Sequence, residues 1–132
     1  MQLESKELLE AAQKFGTPLY AYHGERIVEQ YHKLKEAFPG VNVRLHYAMK
    51  ALSNVNVLKL LREQGSGLDA VSIQEVQLGL RAGYSPDQIM FTPNCVDFAE
   101  IQQAVELGVH INIDNISILE QFGHHYGASV PC

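Results

Sequence analysis

The sequence predicts an α/β fold, four βα units making the N-terminal half of an eight-stranded parallel (β/α)8 barrel, on three observations. Four β-type runs recur: "LHYAMK" ending at Lys50, "GLDAVS" at Ser72, "QIMFTPN" at Asn94 and "HINIDN" at Asn115. Their ends fall about 22 residues apart, which suits one strand, one helix and two short loops. Helix-start and helix-stop residues punctuate each interval in register. Finally, every run closes on polar residues, namely Lys50, Ser72, Asn94, Asp114 and Asn115. In parallel α/β folds that C-terminal edge is where ligands bind.

Taken in order, residues 5–15 read as a short amphipathic helix and "TPLYAY" (Thr17 to Tyr22) as a strand. A longer helix begins near Gly24, with Ile27, Tyr31, Leu34 and Phe38 along one side and "PG" at 39–40 as its stop. "VRLHYAMKAL" (Val43 to Leu52) then alternates apolar and polar residues as a strand does, closing on Lys50. Ser53 is placed to cap "NVNVLKLLREQ", which stops at Gly65. Ser72 opens "SIQE", a capping box with Glu75, and Ile73, Val76 and Leu80 share a face before Gly83. Asp97 opens "DFAE", with Ile101 and Val105 inward before Gly108. Ser117 with Glu120 marks a last start, "SILE", and Gly123 a stop. "LDAVS" and "IMF" are mostly apolar on both faces, which predicts helices covering the sheet.

Four βα units cannot close a barrel of eight strands. Residues 24–132 are therefore expected to be a partial barrel, and residues 1–23 a separate helix and strand. "HHYGASVPC" stands where a fifth strand would begin.

A net charge of −5 and the absence of any lysine-arginine cluster argue against a nucleic-acid partner. No run approaches the roughly 20 apolar residues that span a bilayer. The acidic, amphipathic start is unlike a signal peptide, and Cys95 and Cys132 are too few for a disulfide framework or a zinc site. A cytoplasmic location is expected. His124 and His125 are adjacent and point apart, so no metal site is expected.

Lys50 is the residue with chemical potential. A lysine at a strand end can simply reach into solvent. Held at a barrel mouth among Tyr47, Met49 and Leu52, its ammonium form would be disfavoured instead. The neutral amine could then attack a carbonyl and form a Schiff base with an aldehyde cofactor.

"FGTPLYAY", "LHYAMKA", "GLDAVSIQEV", "LRAGYSPDQIMFTPN" and "AVELGVHINIDN" resemble, in that order, the N-terminal part of the diaminopimelate decarboxylase family. These are pyridoxal-phosphate-dependent enzymes of the alanine-racemase-like barrel fold, grouped with ornithine and arginine decarboxylases. The resemblance implies decarboxylation of meso-2,6-diaminopimelate to L-lysine and carbon dioxide, in a homodimer. It implies that Lys50 forms the Schiff base with pyridoxal 5'-phosphate and later handles proton transfer. Ala48 matches the small residue that lets the cofactor ring lie close. Asp69 matches an acidic residue near lysine and cofactor, although such a carboxylate can also serve only a loop. Ser72 and Glu75 are assigned to capping alone, and "TPN" departs from the family's more usual "GNN" strand end.

The resemblance also implies that residues 1–23 pack with a C-terminal β-sandwich domain. The phosphate loop, ring-stacking histidine, partner of the ring nitrogen and substrate-binding cysteine lie later in the family's sequence. The chain is thus expected to be inactive alone. Rival expectations are a decarboxylase of arginine, ornithine or carboxynorspermidine, and a non-catalytic barrel fragment that binds another subunit.

Overall fold

A computed structural model describes residues 4–132 as two compact units, the first running to Pro39 and the second from Gly40 to Cys132. The first unit holds α1 (Ser5–Phe15) and α2 (Gly24–Glu36). At α1 the side chains of Glu4 and Glu7 close a capping box, while His23 caps α2 by accepting from the Arg26 N–H at 3.2 Å. Residues 17–22, expected as a strand, join no ladder among the described residues.

The second unit is the expected βα array. Its strands are β1 (His46–Ala48), β2 (Gly67–Ala70), β3 (Ile89–Phe91) and β4 (His110–Ile111). Its helices are α3 (Val55–Glu63), α4 (Ile73–Arg81), α5 (Phe98–Glu106) and α6 (Ile116–Tyr126). The four strands lie in the order β1-β2-β3-β4 and every pair is parallel. Ala48 stands opposite Asp69, Asp69 opposite Met90, and Phe91 opposite Ile111.

The alternation of side chains sends one set into the core. Leu68, Ala70, Ile89, Phe91 and Ile111 are buried with Leu58, Ile73, Val76, Ile101 and Ala104 of the helices. Fully burying a side chain such as Phe91 contributes roughly 1.5–3 kcal/mol. In the other set, Ala48, Asp69 and Met90 are only half-buried, as is His46. The array thus has one helix-packed face and one open face, as a segment of a (β/α)8 barrel should. Gly67 belongs to the open face because a Cβ there would fall 2.7 Å from the His46 ring. That ring in turn bonds the Leu68 carbonyl at 3.1 Å.

The expected punctuation holds in the middle of the chain and shifts at its ends. Gly65, Gly83 and Gly108 all have positive φ after their helices. Asp97 caps α5 through the Glu100 N–H at 3.1 Å. At α3, however, the cap is Asn54 rather than Ser53, its side-chain Oδ1 accepting from the Asn56 and Val57 N–H groups. At α6 the cap is Asn115 rather than Ser117, and the helix passes through Gly123 to end at Gly127. In both cases an asparagine within two residues of the serine reaches the first free N–H groups.

Two glycines separate packing from propensity. Gly79 of α4 leaves 2.7 Å between a would-be Cβ and Leu68 Cδ1, whereas Gly123 of α6 faces open space. Gly79→Ala should lower unfolding stability by about 1–3 kcal/mol through overpacking. Gly123→Ala should raise it by roughly 0.5–1 kcal/mol. Urea denaturation of the two variants reads both signs.

Candidate functional site

The strands are short, so the polar residues at their C-terminal ends sit in loops just beyond the sheet. Lys50 lies in a single 3-10 turn, Met49–Ala51, and does not end β1 as the alternating run suggested. The turn points Met49 into the core, where it is fully buried, and leaves Lys50 exposed. The enclosed lysine expected from sequence is thus replaced by one at an open rim. Tyr47 braces the turn by donating to the Leu52 carbonyl at 3.1 Å.

Lys50 lines a cleft of about 180 Å³ together with Asp69, Val71, Thr92, Pro93, Asn94, Asn112 and Asp114. Most of these are alternate residues, 69 and 71, 92 and 94, 112 and 114, on the path of β2, β3 and β4. A parallel register turns that period of two into a common face. Lys50, Asn94 and Asp114 therefore gather at the strand ends as expected, with Asp69 beside them. Ser72 and Asn115 do not: Ser72 accepts from the Glu75 N–H and Asn115 from the Ile118 N–H, each opening a helix. Glu75 completes its box one residue further back than expected, accepting from Val71 rather than Ser72.

Within the cleft the groups have distinct attachments. Asp69 accepts a hydrogen bond from the Thr92 hydroxyl across the β2–β3 pair. Asp114 accepts from the Asn115 side-chain amide at 3.0 Å. Lys50 makes no ion pair within 4.0 Å among the described residues. Ala48, opposite Asp69 in the ladder, adds only a methyl group beside it. The set offers a primary amine outside any ion pair, two carboxylates and two amides around a small open space. The amine suits a carbonyl-bearing small molecule, and the carboxylates and amides suit its ammonium or other hydrogen-bond donor groups. Thr92 and Asn112 were not singled out from sequence. Counting two residues onward from Met90 and His110 would have found them.

An α/β-barrel segment whose ligand edge carries a lysine is the class that this fold and cleft define. Residues 24–130 match the pyridoxal-dependent decarboxylase pyridoxal-binding domain, and the chain belongs to that family. It is 44% identical over 115 residues to the diaminopimelate decarboxylase of Methanothermobacter thermautotrophicus, covering 86% of this chain and 27% of that protein. It is 36% identical over 125 residues to the diaminopimelate decarboxylase of Escherichia coli K12, covering 92% and 29%. The Helicobacter pylori diaminopimelate decarboxylase in complex with L-lysine superposes with a TM-score of 0.82 at 36% identity, over 89% of this chain and 30% of that one. A lysine/ornithine decarboxylase from Vibrio vulnificus with putrescine gives 0.84 at 32% identity, over 95% and 35%. The chain thus spans between about a quarter and about a third of the length of these relatives.

Capping and chemistry can be separated by mutation. Ser72→Ala should cost about 1 kcal/mol of stability, read by urea denaturation. In that variant Lys50 should react with an amine-selective acylating reagent at the wild-type rate, read by peptide mass mapping.

Proposed function

We propose that this chain supplies the lysine-bearing half of the barrel of a pyridoxal-phosphate-dependent amino-acid decarboxylase whose substrate is meso-2,6-diaminopimelate and whose products are L-lysine and carbon dioxide. The observation that carries the proposal is the Lys50 amine opening on a cleft at the C-terminal rim of a parallel sheet. The groups present fit the cofactor: a primary amine to bind its aldehyde, the small Ala48 beside the strand rim, and Asp69 as a fixed neighbouring charge. When bound, the cofactor's ring supplies an electron sink for the pair left as carbon dioxide departs.

The chain's own residues have the remaining tasks. Lys50 Nζ holds the cofactor and afterwards moves a proton at the reacting carbon. The Ala48 methyl leaves the space that a larger side chain would fill. Asp69 keeps a negative charge beside the amine, and Asn94 and Asn112 offer neutral donors and acceptors at the rim. Diaminopimelate is favoured over other basic amino acids by the identities to diaminopimelate decarboxylases. The likeness to a lysine/ornithine decarboxylase supports ornithine or lysine as the runner-up substrate. A homodimer in the cytoplasm completes the proposal, with residues 1–23 serving a β-sandwich domain.

Two outcomes test this. Pyridoxal phosphate added to the chain and reduced with borohydride should mark Lys50 ahead of the other lysines, and Lys50→Ala should lose that mark. Equal marking of every lysine counts against a role for the cleft. Incubated with cofactor and meso-diaminopimelate, the 132 residues alone should release no L-lysine. Sustained release would overturn the view that the catalytic parts are divided between this segment and others.

A further inference from the structure

The residues lining the cleft place one cation, Lys50, among two anions, Asp69 and Asp114, yet Lys50 forms no ion pair among the described residues. The attachments of the carboxylates explain this. Asp114 is engaged by Asn115, and Asp69 by Thr92 on the neighbouring strand path. Thr92 is itself fixed, because its N–H extends the ladder to the Ala70 carbonyl at 2.8 Å. Its β-branched side chain also has few rotamers.

We propose that Thr92 is a positioning residue that tethers the Asp69 carboxylate to the end of β3. The tether prevents Asp69 from closing onto Lys50 as an ion pair and so keeps the amine available to condense with an aldehyde. This rests on the assignment of Lys50 as the cofactor-holding amine. Asp69 Oδ1 accepts the Thr92 hydroxyl, which fixes the orientation of the carboxylate, so that turning it onto the ammonium would break this hydrogen bond. Freed of the hydroxyl, Asp69 loses this anchor, and its side chain can turn toward the nearest cation.

Among the described residues, the charged groups facing Lys50 are few. Asp69 comes from β2 and Asp114 from the loop after β4, while the loop after β3 contributes the uncharged Thr92 and Asn94. Glu75 of α4 stands behind Val71, its carboxylate engaged by that residue's N–H at 2.8 Å. His46 of β1 is turned to the Leu68 carbonyl. Asp69 is therefore the anion that a change at residue 92 would release.

The test is the rate at which an amine-selective acylating reagent modifies Lys50 in the 132-residue chain without any aldehyde, read by peptide mass mapping. Thr92→Val should slow that reaction about 2–5-fold, and Thr92→Ser should restore the wild-type rate. In Thr92→Val combined with Asp69→Asn the slowing should vanish. Three results would each overturn the tether: an unchanged rate in Thr92→Val, failure of Thr92→Ser to restore it, or persistence of the slowing in the double variant. Thr92→Ala serves as a second variant should the valine disturb folding. In parallel, borohydride trapping of pyridoxal phosphate on Lys50 near neutral pH should fall about 2–5-fold in Thr92→Val. Trapping on wild-type Lys50 with no effect at residue 92 sinks the tether and leaves the cofactor proposal standing. Slowed acylation in Thr92→Val with no trapping at all supports the tether and sinks the cofactor proposal.

Discussion

The parallel register of β1 to β4 is the constraint on which the rest of the βα unit depends. With Ala48 opposite Asp69 and Asp69 opposite Met90, residues separated by some twenty positions in sequence become neighbours across the sheet. The same pairing carries Thr92 to within hydrogen-bonding reach of Asp69 and aligns the loops bearing Asn94, Asn112 and Asp114. A slip of one residue in any pair would exchange the two faces, burying Asp69 and exposing Leu68. The hydrophobic cost of such a slip is what holds the cleft together.

Burial is one-sided, and this divides the labour between the faces. Leu68, Ile89 and Phe91 are fully buried against the helices and fix the sheet's position. The opposite face carries the polar residues and stays partly open. Lys50 reaches that side through a change of backbone geometry: the 3-10 turn that buries Met49 presents its neighbour to the cleft. Strand alternation and a single tight turn thus place an amine among carboxylates without burying it.

Helix capping joins the same scheme. Ser72, Asp97 and Asn115 stand after their strands and take up the first free N–H groups of the next helix. The cap side chains spend their oxygens on backbone, which leaves the cleft to the residues beside them. Glu75 ties the two systems, since its carboxylate holds the N–H of Val71, a cleft residue.

The sequence by itself determined the βα period, the order of the four βα units, the stops at Gly65, Gly83 and Gly108 and the edge on which Lys50, Asn94 and Asp114 meet. Those features follow from local propensity and from periodicity, which a single chain displays openly. It could not determine which of two neighbouring polar residues caps a helix, as Asn54 over Ser53 and Asn115 over Ser117 show. That choice turns on the backbone angle at one residue. Nor could it show that Lys50 leaves its strand in a tight turn, or that Thr92 holds Asp69. Each of these depends on how the strands lie beside one another, and that arrangement exists only once the register has been set.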